Sequence, residues 1–217
     1  MKALILAAGY GKRMLPLTEK LPKPLLEVKG KPLIVYHLEA LSGIGILEVV
    51  INLAHLGNKI EEYLGDGSAY GMSIQYSHEG PEPLETGGGM TKALPLLGEE
   101  TFLVVNGDIF CDFDFSKLPS LDEGIDAHLV MVDTPVFKPT GDFSLGEDGF
   151  LVDGGERDLT YAGIALYHPR ILAGAKVEKF SVVPRLKAAI GSRRAKGSYH
   201  PGKWCDVGTP ERLLDLQ

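Results

Sequence analysis

Cysteine, tryptophan and long apolar runs are all scarce in this 217-residue chain, and each scarcity excludes something. The two cysteines, Cys111 and Cys205, lie far apart and neither belongs to a CxxC pair. A disulfide framework is thereby excluded, and both read as free thiols packed in a reducing cytoplasm. No apolar stretch approaches the roughly 20 residues of a membrane span. The apolar start, Met1 to Gly9, is too short and wrongly flanked for a secretory signal, and reads as a buried first strand. Basic residues are outnumbered 22 to 29, and a net charge of −7 argues against nucleic acid as a partner. It leaves room for a local cationic pocket. The six histidines (His37, His55, His78, His128, His168, His200) have no ligand-like spacing and read as helix-face or loop residues. There is no internal repeat, low-complexity tract or linker.

What is present is an alternation of strands and helices. Lys2–Leu6, Leu47–Asn52, Ser73–Ser77 and Thr101–Asn106 are short apolar or β-branched runs. Between them, Pro32–Leu41, His55–Leu64 and Thr86–Leu97 carry apolar residues at helical spacing. That order predicts an α/β fold with a mainly parallel, Rossmann-like sheet covered by helices on both faces. After Asp126 the texture changes. Ala127–Asp133 and Tyr161–Tyr167 read as strands around a turn-rich stretch, Phe180–Ile190 as a helix, and Thr209-Pro210-Glu211 as the start of a last helix. A single domain over 1–217 with a small inserted sheet is expected.

In open α/β sheets ligands bind beyond the carboxyl ends of the strands, and the polar motifs fall there. The first strand runs into Ala7-Ala8-Gly9-Tyr10-Gly11-Lys12-Arg13-Met14, with Pro22-Lys23-Pro24 downstream. Small residues let backbone N–H groups approach phosphate oxygens. Arg13 can grip them in a fork, and Lys23, stiffened by its flanking prolines, adds a compact charge. A dinucleotide fingerprint would need a glycine near Met14 and an acid in place of Asn52; a P-loop would need Ser or Thr in place of Arg13. Neither is met. Asp108, after the apolar strand ending at Asn106-Gly107, and Asp206, in Trp204-Cys205-Asp206-Val207-Gly208, form a candidate carboxylate pair for Mg²⁺. Leu84-Glu85-Thr86-Gly87-Gly88-Gly89 places three glycines where a flat base could lie against backbone.

Taken together, LAAGYGKRM with PKP, LETGGG, VNGD and WCDVGT resemble, in order and along the whole chain, the sugar-1-phosphate nucleotidyltransferases. Within that family, LETGGG and the Gly141-Asp142-Phe143 element most resemble the N-acetylmuramate 1-phosphate uridylyltransferases of peptidoglycan recycling. The resemblance implies a cytoplasmic enzyme that transfers UMP from UTP to a sugar 1-phosphate, with mannose- or heptose-1-phosphate guanylyl transfer as the alternative. It implies that Ala8, Gly9, Gly11, Lys12 and Arg13 hold the triphosphate, that Lys23 contacts phosphate near the reacting centre, and that Glu85, Gly87 and Asn106 face the nucleoside. Asp108 and Asp206 would hold Mg²⁺, and Asp142, Glu156, Tyr161 and Gly163 would line the sugar pocket. Residues 1–125 are then mainly nucleotide-binding, 126–200 mainly sugar-binding, and 201–217 supply the second metal aspartate and the last helix. Arg13, Lys23 and Asp108 are the expected catalytic groups, since a sugar phosphate is already an ionised nucleophile and needs no general base. Thymidylyl and glucose-type uridylyl branches differ at Glu85-Thr86-Gly87, so base preference does not transfer from them. No acetyl transfer, no membrane partner, and a monomer or simple homodimer are expected.

Overall fold

The structure, a computed structural model, describes residues 1–155 and 157–217. Thirteen strands appear among them in chain order: β1 Ala3–Leu6, β2 Glu27–Val28, β3 Lys31–Pro32, β4 Glu48–Leu53, β5 Ser73–His78, β6 Phe102–Asn106 and β7 Ile109–Cys111 come first. They are followed by β8 Ala127–Asp133, β9 Ser144–Leu145, β10 Leu151–Val152, β11 Leu159–Tyr167, β12 Ala195–Tyr199 and β13 Trp204–Asp206. The α-helices are α1 Leu33–Gly43, α2 Gly57–Leu64, α3 Glu85–Leu97, α4 Val183–Gly191 and α5 Pro210–Leu214.

Seven strands form one sheet in the order β12-β8-β11-β6-β1-β4-β5. β6, β1, β4 and β5 are mutually parallel, as are β8 and β12, while β11 runs antiparallel between β6 and β8. The expected mainly parallel sheet is therefore present. Ala127–Asp133 and Tyr161–Tyr167, anticipated as strands, extend this sheet, and the small antiparallel pieces are β9–β10, β7–β13 and β2–β3.

The continuous apolar runs of the central strands follow from burial on both faces. In β1, Ala3 and Ile5 pack with Ile34, Leu38 and Leu41 of α1 and with Ile60 and Leu64 of α2. Leu4, pointing the other way, packs with Met90, Ala93 and Leu97 of α3 and belongs to the same layer as Leu186, Ala189 and Ile190 of α4. β6 splits likewise, with Leu103 and Val105 on one face and Phe102 and Val104 on the other. A third, smaller cluster joins Met14 to Leu26, Val28, Leu33, Val207 and Leu213. It ties the glycine-rich turn after β1 to the segment around α5. Met14 is fully buried, which is worth on the order of 2 kcal/mol and fixes where the turn leaves the sheet.

Two boundaries moved for identifiable reasons. The helix expected from Phe180 begins at Val183, because the Phe180 carbonyl accepts from the Gly87 and Gly88 N–H groups at 2.9 and 3.1 Å. Phe180 thus caps the first turn of α3 and stays out of helix itself. The helix expected from His55 begins at Gly57, after a turn in which Gly57 N–H donates to the Ala54 carbonyl.

Candidate active site

A cleft of about 380 Å³ opens beyond the carboxyl ends of β1, β4 and β6. Ala8, Gly9, Gly11, Lys12, Arg13, Lys23, Glu85, Asn106 and Asp108, all singled out from the sequence, line it. Gly11 has a left-handed φ of 62°, and a Cβ there would come within 2.8 Å of the Thr18 side chain. Thr18 Oγ1 in turn donates to the Gly11 carbonyl at 2.8 Å, so the turn needs glycine and is held from behind. Lys12 and Arg13 are exposed at the mouth, Lys12 lying 5.2 Å from the Tyr10 ring centroid. Lys23 is only 8% exposed, a fixed charge at the floor rather than a mobile one at the rim.

Lys23 brings the two aspartates together. Its Nζ donates to Asp108 Oδ2 at 2.5 Å and stands 3.8 Å from Asp206 Oδ1. Asp206 also faces Arg212 Nη1 at 2.9 Å and Arg13 Nη2 at 3.7 Å. The antiparallel ribbon β7–β13 achieves this, because Asp206 pairs with Ile109, the residue after Asp108. Gly208 leaves the space: a Cβ there would meet Arg212 Nη2 at 2.6 Å and Arg13 Nη2 at 2.9 Å. Two carboxylates already sharing one cation, with oxygen donors only, form a donor set that fits a hard divalent ion such as Mg²⁺.

A second cavity, about 480 Å³, adjoins the first and is lined by Asp142, Tyr161, Gly163, Lys138 and Trp204. The two share Arg13, Asn106 and Asp108. Asp142 is held by the Tyr161 N–H at 3.0 Å and by Lys138 at 2.6 Å. Gly163 has φ 82° in β11, where pairing with β8 slips between Tyr161 and Ala165, and a Cβ there would lie 2.9 Å from Asn106 Nδ2. This irregularity in the strand makes room for Asn106 at the junction of the cavities. The Tyr161 hydroxyl is pushed up by burial and by its contact with Tyr167, so it stays protonated. Among the described residues no histidine lines any of these cavities. Glu156 lies outside the described residues.

The glycine triplet needs a correction. Gly87 does not line the cleft; a Cβ on it would fall 2.3 Å from the Phe180 ring. The Gly88 position is occupied by the Glu178 carbonyl and that of Gly89 by Glu79 Oε1. The triplet serves close packing of α3, with Glu85 and Thr86 reaching the cleft instead.

Several site residues were not read from the sequence. Asn52, at the end of β4, accepts from Ala7 N–H at 2.6 Å and donates to Glu79 Oε1 at 2.6 Å, while Glu79 Oε2 accepts from Leu84 N–H. This chain of bonds holds the glycine-rich turn after β1 and the 79–84 loop in one frame. Burial raises the Glu79 carboxyl, partly offset by those same donors. The only sequence signal of Asn52 was its place as a polar residue closing a β-branched run. Arg212 and Lys138 had none.

Beneath Asp108, His37 of α1 is buried, its Nε2 has no hydrogen-bond partner among the described residues, and burial depresses it to about 4. The Asp108 charge and the Ile109 backbone oppose that shift incompletely. Because the folded value lies below the ordinary 6.5, this group stabilises the fold above pH 6.5, and that stability is lost as pH falls towards 4. The loss is about 3 kcal/mol. Denaturant titrations at pH 7 and pH 4 should therefore bring His37→Leu closer to the wild type, or past it, by that amount as pH falls. Parallel pH dependences would contradict a buried neutral imidazole.

The nucleotidyl transferase family matches residues 2–141, and the chain belongs to it. It is 49% identical to the N-acetylmuramate alpha-1-phosphate uridylyltransferase of Neisseria meningitidis serogroup B, over 100% of this chain and 97% of that protein. It is 31% identical to the mannose-1-phosphate guanylyltransferase catalytic subunit beta of Drosophila pseudoobscura pseudoobscura, over 98% of this chain but 60% of that one. In fold it matches a solved structure from Bacillus anthracis assigned as a glucose-1-phosphate thymidylyltransferase, with a TM-score of 0.86, 18% identity, and 100% and 93% of the two chains covered. This is an enzyme of sugar-phosphate nucleotidyl transfer acting on small molecules.

Proposed function

We propose that the protein transfers UMP from UTP to N-acetylmuramate 1-phosphate in the cytoplasm, giving UDP-N-acetylmuramate and pyrophosphate for peptidoglycan recycling. The observation that carries this reading is the junction of the two cavities, where Lys23, Asp108 and Asp206 converge. The near-full-length likeness to the neisserial enzyme supports the choice of sugar and base.

In this reading UTP takes the first cleft, its triphosphate wrapped by the Gly9–Arg13 turn, and the sugar takes the cavity around Asp142, Tyr161 and Gly163. Asp108 and Asp206 would hold Mg²⁺, which supplies charge neutralisation on the phosphates when bound. A sugar-phosphate oxygen forms the new bond to the α-phosphorus, the α–β bridging bond breaks in line, and its electron pair leaves with pyrophosphate. Lys23 faces the α-phosphoryl oxygens as charge is redistributed, and Arg13 steadies the departing pyrophosphate. The nucleophile is already ionised, so in this reading no residue removes a proton from it.

The test is pyrophosphate release from purified protein with Mg²⁺, each of the four NTPs in turn, and N-acetylmuramate 1-phosphate. Release with UTP is expected. Release with GTP and mannose or heptose 1-phosphate alone would keep the chemistry and overturn the substrate. Silence with every pair would overturn the transferase reading.

A further inference from the structure

The ribbon β7–β13, which joins Asp108 to Asp206 at one end, carries a different set of donors at the other. There the Cys111 sulfur, an Asp112 carboxylate oxygen and a His200 ring nitrogen all lie within 4.8 Å of one another. Asp112 Oδ1 and His200 Nε2 are already 2.9 Å apart. None of the three hangs from a free loop. His200 N–H donates to the Met131 carbonyl at 2.8 Å, and Asp112 N–H to the Lys203 carbonyl at 3.1 Å. The Phe113 ring meets the imidazole edge-on, with centroids 5.3 Å apart. The turn between His200 and β13 closes over the pair so tightly that a Cβ on Gly202 would come 2.3 Å from Asp112 Oδ1 and 2.6 Å from His200 Nε2. The mechanism above uses none of these groups.

Sulfur, imidazole nitrogen and one carboxylate oxygen form a soft-to-borderline donor set, unlike the all-oxygen pair at the other end. Three such ligands leave a fourth position for water. We propose that Cys111, Asp112 and His200 form a second divalent-metal site, selective for Zn²⁺-class ions over Mg²⁺. Burial pushes the Cys111 thiol up to about 11, so the metal-free protein holds it protonated. Binding replaces the S–H bond by an S–metal bond and releases that proton to water, so affinity rises with pH. The bound ion cross-links the end of β7 to the turn before β13. That stiffens a ribbon whose other end, about 10 Å away at the usual rise of a strand, carries the two active-site aspartates.

Co²⁺ titration of the whole protein, with Mg²⁺ in excess to occupy the carboxylate pair, tests the site without any turnover measurement. A thiolate-to-cobalt charge-transfer band is expected, together with quenching of Trp204, the chain's single tryptophan and the partner of Cys111 across the ribbon. Zn²⁺ should erase the band and raise the melting temperature. Cys111→Ser should abolish the band and weaken binding by about tenfold or more, and His200→Ala should weaken it to a similar degree. Cys205→Ser should leave both unchanged, since Cys205 pairs with Phe110 one residue along and points to the other face. No band, a band lost in Cys205→Ser, or unchanged binding in Cys111→Ser or His200→Ala would each overturn the proposal. His200→Ala keeps the test decisive if Cys111→Ser does not fold.

Discussion

Asp108→Asn is expected to lower turnover by about 10²–10³-fold while the protein stays folded. The substitution keeps the volume and one oxygen but removes the charge that faces Lys23 at 2.5 Å. Stability should change by only about 1–2 kcal/mol, because the Asp108 side chain is 37% exposed and Lys23 retains Asp206 within 3.8 Å. The Mg²⁺ concentration giving half-maximal rate should rise in the variant. Steady-state rates across a Mg²⁺ series, paired with a melting curve, provide the measurement. Near-wild-type turnover at saturating Mg²⁺ would remove Asp108 from the proposed metal pair. A collapsed melting transition would instead make its role structural.

Lys23→Met should produce the opposite pattern in one respect. Methionine is of similar length, so the buried stem between Pro22 and Pro24 is largely replaced, but the ammonium is lost. Turnover should fall by about 10²–10³-fold, the cost of deleting one preorganised positive group facing the reacting phosphate. The Mg²⁺ requirement should fall rather than rise, because the ammonium no longer competes for Asp108 and Asp206. Without Mg²⁺ the variant should also be less stable, by about 1–3 kcal/mol, since Asp108 loses its cation and faces Asp206, which keeps Arg212 at 2.9 Å. Added Mg²⁺ should restore much of that stability. Unchanged turnover, or a higher Mg²⁺ requirement, would sink the assignment of Lys23 to the centre of the site. Together the two variants separate the metal-holding and phosphate-facing contributions, which one substitution alone would confound.

The central strands were legible because burial on both faces forces continuous apolar runs, as in Thr101–Asn106. β12, Ala195–Tyr199, was not, since an edge strand whose side chains alternate between buried and half-exposed has no such run. β7 was too short to show a pattern, and the pairing of β13 with it is a tertiary fact. In the site, Arg13, Lys23, Asn106, Asp108 and Asp206 stood out because glycine, proline or a strand end marked each of them. Asn52 and Glu79 meet only after β4 and β5 are aligned, and Arg212 reads locally as an ordinary helix-surface cation. The glycine triplet was the sharpest misreading. Phe180 and Glu178, which fill the Cβ positions of Gly87 and Gly88, come from a segment far along the chain, so nothing nearby in the sequence announced them.

The antiparallel insertion of β11 also bears on how the chain is made. β8 leaves the ribosome before β11, yet its only neighbours in the main sheet are β11 and β12. Until those later strands are synthesised, β8 is an apolar strand with both edges open, the species most prone to pair with the wrong chain. The parallel block of β1, β4, β5 and β6 waits only at the outer edge of β6, which β11 covers later; its mutual pairings are all complete by residue 106. Folding during translation should therefore proceed in two stages. The parallel half of the sheet can settle early, while the ribbon bearing Asp206 docks only when nearly the whole chain has emerged. Chaperone demand should peak in the interval between β8 and β11.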